Sequence, residues 1–227
     1  MTVLGVDACP AGWVGVVLER DGTIRACCRP TVESVLAASG TVDVVGVDIP
    51  VGLPGSGVRL ADVEARRVLG ARRSSVFLTP PRAVLQAASH SEASALCRAL
   101  TGSGVSQQTY ALRAKVLEVD EWLARRGETA PPVFEVHPEV SFVTLAGAPL
   151  ESKKTWAGFD QRRRVLAGAG IVLEGGLGLS GQRVGVDDLL DAAVVAWTAQ
   201  RIRAGTALCM PSVPEPMPDG KQAAIWA

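Results

Sequence analysis

Acidic side chains fall at the ends of the most strand-like stretches of this chain. Asp7 closes a short apolar run at the start, and Asp48 interrupts one end of the apolar run Val42–Ile49. Glu135 lies inside a third run, Val133–His137. Asp188 and Asp191 stand three apart at the start of a helical pattern, so they share a face that Val195 continues. Carboxylates drawn together from several strands and a helix repel one another. They persist as a group when a cation neutralises them or when protons are shared. Such oxygens are hard donors suited to Mg²⁺ or Mn²⁺. Two such ions can activate a water and stabilise the leaving oxygen during in-line attack on a phosphodiester. The pattern makes Asp7, Asp48, Glu135 and Asp188 the candidate catalytic acids, and Asp7, Asp48, Asp188 and Asp191 the candidate metal ligands.

Each acid also has an ordinary reading. Aspartate commonly starts turns, which would account for Asp7 and for Asp48 just before Pro50. A glutamate within a strand can face solvent from an edge. Asp187 is expected to be no more than the N-cap of the last helix. His137 shares the strand face of Glu135 and could shuttle a proton, or be satisfied by backbone. Cys9 has no partner histidine nearby in sequence and reads as a packing residue.

Cations gather in one segment. Arg66, Arg72 and Arg73, with Ser74 beside them, could grip a phosphate backbone, and so could Lys115 further on. The alternative is a solvated helix face with local ion pairs, such as Lys115 with a neighbouring carboxylate.

These side chains need a scaffold. The opening reads as an antiparallel meander: a strand to Asp7, a second over Trp13–Glu19, the turn Asp21-Gly22, and a third over Thr23–Arg29. Thr31 is placed to cap a helix over Val32–Ala38. The apolar run Val42–Ile49 suits a buried parallel strand. Helices are expected over Ala61–Leu69, Ala83–Leu100 and Gln108–Arg126, then a strand at Val133–His137. A mostly helical stretch to about Gly170, a glycine-rich loop over Gly175–Gly185 and a helix over Asp188–Arg203 complete the reading. The proline-rich tail after Met210 reads as irregular.

The 227 residues suit one large domain, with a helical insertion at about 59–130. Lys plus Arg and Asp plus Glu are each 23, so no global field recruits nucleic acid and any such binding needs a local basic patch. Aromatic residues are 4%, too few for an obvious base-stacking surface. The five cysteines contain no C-x-x-C pair, which speaks against a disulfide framework or structural zinc and for a reducing cytoplasm. No apolar run is long enough to span a bilayer, and no signal-peptide pattern opens the sequence.

Several segments together carry a resemblance. They include Gly5-Val6-Asp7-Ala8-Cys9-Pro10-Ala11-Gly12-Trp13, Asp48-Ile49-Pro50-Val51-Gly52-Leu53-Pro54, Phe134-Glu135-Val136-His137-Pro138-Glu139 and Asp187-Asp188-Leu189-Leu190-Asp191-Ala192. In these the chain resembles an uncharacterised family of predicted RNase H-like nucleases, domain of unknown function 429. The resemblance implies an α/β, RNase H-like fold. Its mixed five-stranded central sheet, a three-strand meander plus parallel strands, would be flanked by helices. It also implies that Asp7, Asp48 and an acid of the final helix correspond to metal-binding acids. Two other functions stay open: a nucleotide-binding module related to actin-like and sugar-kinase ATPases, and a non-catalytic nucleic-acid-binding domain. The ATPases use two such domains, for which this chain is short.

Overall fold

The computed structural model describes residues 1–127 and 129–227. The chain opens with β1 (Val3–Cys9), β2 (Gly12–Leu18), β3 (Ile24–Arg29), α1 (Val32–Ser39) and β4 (Val44–Val47). A helical stretch follows: α2 (Leu60–Leu69), a 3-10 turn (Gly70–Ser75), α3 (Arg82–Leu85), α4 (His90–Thr101), α5 (Gln107–Ala111) and α6 (Arg113–Arg125). Then come β5 (Val133–Val136), α7 (Pro138–Ala146), α8 (Trp156–Gly168), α9 (Val186–Ala204), β6 (Cys209–Pro216) and β7 (Gln222–Trp226). No helix among the described residues is long and apolar enough to cross a membrane.

The sheet is mixed and has seven strands, in the order β3-β2-β1-β4-β5-β7-β6. Five were expected. The two extra strands come from the proline-rich tail, which the sequence pattern presents as irregular. Pro211, Pro214 and Pro216 all lie in β6, the last strand of the sheet. An edge strand tolerates proline because the missing N–H has no ladder partner to disappoint.

Two compact units make up the chain. The first comprises Met1–Asp48, Gly127–Leu208 and Trp226–Ala227, and the second Ile49–Arg126 and Cys209–Ile225.

In the first unit β1 pairs antiparallel with β2 and parallel with β4, and β4 pairs parallel with β5. Thr31 caps α1 by accepting from the Ser34 N–H at 3.2 Å, as its sequence position predicts. The helix α9 lies across one face of β1, β2 and β4. Its middle turns, Leu190 to Ala199, are buried throughout, so the helix is enclosed on all sides rather than along one stripe, with Asp191 and Thr198 among the buried residues. Gly5 and Gly46 are register partners on β1 and β4. A Cβ on Gly5 would collide with the backbone of Ala192 and Ala196, and one on Gly46 would stand 2.8 Å from a Val195 methyl. Missing side chains on both strands therefore let α9 settle against the sheet backbone. The opposite face is covered by α1, whose Val35 fills the space beside Gly15.

The second unit holds α2–α6, β6 and most of β7. The long helix expected over Ala83–Leu100 is two helices, because Ser89 caps α4 by accepting from the Glu92 N–H at 3.2 Å. The helix expected over Gln108–Arg126 likewise divides at Leu112, between α5 and α6. Arg59 and Asp62 are 1% exposed and form a buried ion pair at 2.5 Å. Arg59 also donates to the Val51 and Gly52 carbonyls, and Asp62 accepts from the Thr79 N–H at 2.7 Å. A buried pair with its remaining sites satisfied fixes the irregular segments on either side of α2.

Candidate functional site

The register of the first unit decides which acids meet. Side chains alternate along a strand, so Asp7 shares the face of Gly5, the face that α9 covers. Asp48 follows β4 two residues after Gly46, and its N–H donates to the Val6 carbonyl at 2.9 Å, which continues the parallel register. Asp7 and Asp48 are thus lateral neighbours, although β1 does not close at Asp7 as its sequence suggests but continues to Cys9 by pairing with β2, and their carboxyl groups hydrogen-bond to each other. The first turns of α9 arrive at the same place with Asp188 and Asp191.

Glu135 pairs with Val47, whereas Phe134 pairs with Gly46 and Val136 meets Gly46 from the α9 side. Alternation therefore turns Glu135 to the opposite face of the sheet from Asp7 and Asp48. Glu139, four residues on, takes the remaining place in the cluster. Its charge acts on both Asp48 and Asp191. Pro138 at the first position of α7 starts the helix there and sets Glu139 in its first turn. His137 is the N-cap residue of α7.

The sequence pattern also gave no hint of Lys153. Its ammonium lies 2.5 Å from Asp191 Oδ2, and its charge acts on Asp7 and Asp48 as well. Lys154 reaches Asp187 at 2.5 Å. The loop carrying both lysines is braced. Thr155 caps α8 and donates to the Ser152 carbonyl at 2.8 Å. Gln161 accepts from the Glu151 N–H at 2.8 Å. Arg162, 1% exposed, donates to the Glu151 carbonyl at 2.8 Å and to Glu139 Oε1 at 2.6 Å. Gly158 is required here, because a Cβ would strike the Ser152 carbonyl. One buried guanidinium thus positions both Glu139 and the lysine loop.

Asp187 is not the N-cap of α9. Gly185 holds that position, and Asp187 sits in the first turn paired with Lys154. Asp188 accepts a hydrogen bond from the Gly185 backbone, the side-chain-to-cap half of a capping box. A Cβ on Gly185 would meet Asp188 Oδ2 at 2.8 Å, so any other residue there would have to displace the aspartate carboxylates that crowd the cap.

The electrostatics follow from crowding and burial. Burial, then the charges of Asp48, Asp191 and Asp188, hold Asp7 well above the usual carboxylate range. Burial pushes Asp48 up to about 7, against the pull of Lys153 and of its bond to Asp7. Burial raises Asp191 to about 6, again opposed by Lys153. Asp188 is raised by burial and by Asp187, while Asp187 is lowered chiefly by its bond to Lys154. Burial alone would lower Lys153, but Asp191, Asp7 and Asp48 more than offset it and hold the ammonium protonated. Asp191 is 2% exposed, and its Oδ1 is buried with no hydrogen-bond partner among the described residues. The cluster can hold a proton near neutrality and retains one acceptor without a donor.

The donor set for a metal is all oxygen, which suits a hard divalent cation. Among the described residues, no group of three or more His, Cys, Asp or Glu side chains is already arranged to hold one. Lys153 is the resident cation instead. Cys9 lies 3.7 Å, sulfur to sulfur, from Cys28, and burial with that contact pushes its thiol up to about 11. It is therefore protonated at neutral pH, unlike an activated nucleophile.

The basic residues lie in the second unit. Arg66 is on α2, Arg72, Arg73 and Ser74 are in the 3-10 turn, and Lys115 on α6 stands 3.9 Å from Glu118. A family described as Protein of unknown function (DUF429) matches residues 5–216. No curated protein and no solved structure matches the chain.

Proposed function

We propose that this chain, which belongs to the family of Protein of unknown function (DUF429), is a metal-dependent phosphodiesterase or nuclease on an RNase H-like sheet. The strand order β3-β2-β1-β4-β5, a meander followed by two parallel strands, supports the fold. The observation that carries the function is Asp191 Oδ1. It is a buried, unpartnered carboxylate oxygen among acids whose affinity for protons is raised by mutual repulsion and burial. Such a group has an unmet demand for positive charge.

Asp7, Asp48, Asp188 and Asp191 would hold Mg²⁺ or Mn²⁺. The ion would polarise the phosphoryl oxygen and lower the pKa of a bound water. Before an ion binds, burial holds Asp7 well above the usual carboxylate range and Asp48 at about 7, so the pair retains a proton that the ion would displace. Glu139, braced by Arg162, stands beside Asp48 and Asp191 and raises the proton affinity of both. Lys153 balances the cluster while no ion is bound and must share Asp191 when one is. Arg66, Arg72, Arg73, Ser74 and Lys115 are the proposed contacts to substrate phosphate.

The test is hydrolysis of labelled single- and double-stranded DNA and RNA with Mg²⁺ or Mn²⁺, with ATP turnover measured alongside. Cleavage that needs the metal and disappears in Asp7→Asn is expected. Metal-independent cleavage, or ATP turnover without strand cleavage, would overturn the reading.

A further inference from the structure

Two hollows in the second unit share a wall. The smaller, about 300 Å³, is lined by hydroxyl-bearing residues that include Ser74, Thr101, Ser103 and Ser106. The larger, about 730 Å³, has Val58, Val63 and Leu78 in its wall and Arg66, Arg67 and Arg73 around it. Val58, Arg66 and Leu78 line both, so the two are adjacent. Volumes of this order are typical of small-ligand sites, roughly 300–1,000 Å³.

The charge pattern is one-sided. The chain as a whole balances 23 basic residues against 23 acidic ones, yet among the described residues no aspartate or glutamate lines either hollow. Three guanidiniums with no carboxylate in the lining create a local positive field that attracts anions. Arg66 is held in place by its Nε bond to the Arg73 carbonyl at 3.2 Å, which leaves its two terminal nitrogens for a ligand. Planar paired N–H groups of this kind match phosphate oxygens. Rigidity comes from below. Thr79 lines the smaller hollow, and both its N–H and its hydroxyl donate to the buried Asp62 of the Arg59–Asp62 pair. An irregular segment fixed by a fully buried ion pair is a preorganised wall.

We infer that these adjacent hollows bind a nucleotide unit, with its phosphate on Arg66, Arg67 and Arg73 and its sugar and base in the hydroxyl-lined cavity. An inorganic anion would use only the arginine end. A nucleoside phosphate uses both, because its sugar hydroxyls and base edges match the serine and threonine hydroxyls, while Phe77 and Val105 offer apolar surface to a ring. The inference rests on the second unit alone and needs no metal, so it stands or falls apart from the acidic cluster.

The experiment is calorimetric titration of the full chain in EDTA. The probes are the four ribonucleoside monophosphates, their nucleosides, inorganic phosphate, and a tetranucleotide with and without a 5′-phosphate. At least one monophosphate should bind at least tenfold more tightly than both its nucleoside and inorganic phosphate. Arg66→Ala should weaken it at least tenfold. Ser103→Trp, at an exposed rim position, should block the nucleotide while sparing phosphate. Thermal melts check that both variants fold. Equal binding by the phosphorylated tetranucleotide would identify the unit as a strand end, and exclusive binding of the monophosphates a free nucleotide; either supports the site. Phosphate binding as tightly as every nucleotide, or wild-type affinity in folded Arg66→Ala, would overturn it.

Discussion

Asp7, inside β1, and Asp48, the residue after β4, stand side by side where the parallel register of the two strands runs out, and their carboxyl groups hydrogen-bond on the face that α9 covers. An acid whose folded pKa is raised keeps its proton after the unfolded chain has lost it. Stability contributed by that proton is full below the unfolded value, about 3.9, and is lost as pH rises through the folded value. For Asp48 the window runs to about 7, and for Asp191 to about 6. The chain should therefore lose stability between about pH 4 and 7 through these groups. Asp48→Asn should match wild type at the acid end and exceed it at pH 8 by on the order of 1–2 kcal/mol, roughly 2–8 °C in Tm. Melts at both pH values check this. A variant less stable than wild type at pH 8 would mean that the carboxylate is stabilised by more than Lys153.

Lys153 is the cation nearest the cluster, so its removal leaves Asp191 buried against like charges. Lys153→Met should destabilise the chain at pH 7.5 by about 1–3 kcal/mol, a range reduced because the lysine is about one-third exposed. The loss should shrink at pH 5, where the acids take up protons. If a divalent ion occupies the cluster, Mn²⁺ should raise the Tm of Lys153→Met more than that of wild type. Equal shifts would place the ion elsewhere.

At the start of α9 the roles of two neighbours differ. Asp187→Ala breaks only the pair with exposed Lys154 and should change stability by about 0.5 kcal/mol or less. Gly185→Ala pushes a methyl against both aspartate side chains and should be the more damaging change. Urea titrations of the two variants give the order. A larger loss in Asp187→Ala would restore it as the capping residue.

Gly5→Ala should be the harshest small substitution in the first unit, because its methyl meets helix backbone, which cannot rotate away. A loss of roughly 3 kcal/mol or more is expected, at or above the usual range for overpacking. Gly46→Ala meets a Val195 methyl first and should lose less. Thermal unfolding followed by circular dichroism compares them. Equal losses would mean that α9 shifts as a body.

The local pieces of the fold are legible in the order of the residues. The Asp21-Gly22 turn sits between β2 and β3, Thr31 caps α1, and Asp188 and Asp191 fall in the first turns of a helix. Each follows from neighbours within a few residues, where backbone propensity and side-chain period act directly. Register also makes Asp7 and Asp48 neighbours, which the strand ends alone suggest but do not establish. Tertiary structure alone decided what surrounds them. A single-residue alternation separates Glu135 from the cluster, and a proline-started helix brings Glu139 in. Lys153 reaches Asp191 across 38 positions, held there by Arg162 and by the space that Gly158 leaves. The β6 strand forms despite its prolines, because an edge position asks nothing of the absent N–H. Contacts of that range depend on how closely α9 can approach the sheet, which is set by what Gly5 and Gly46 lack rather than by any motif.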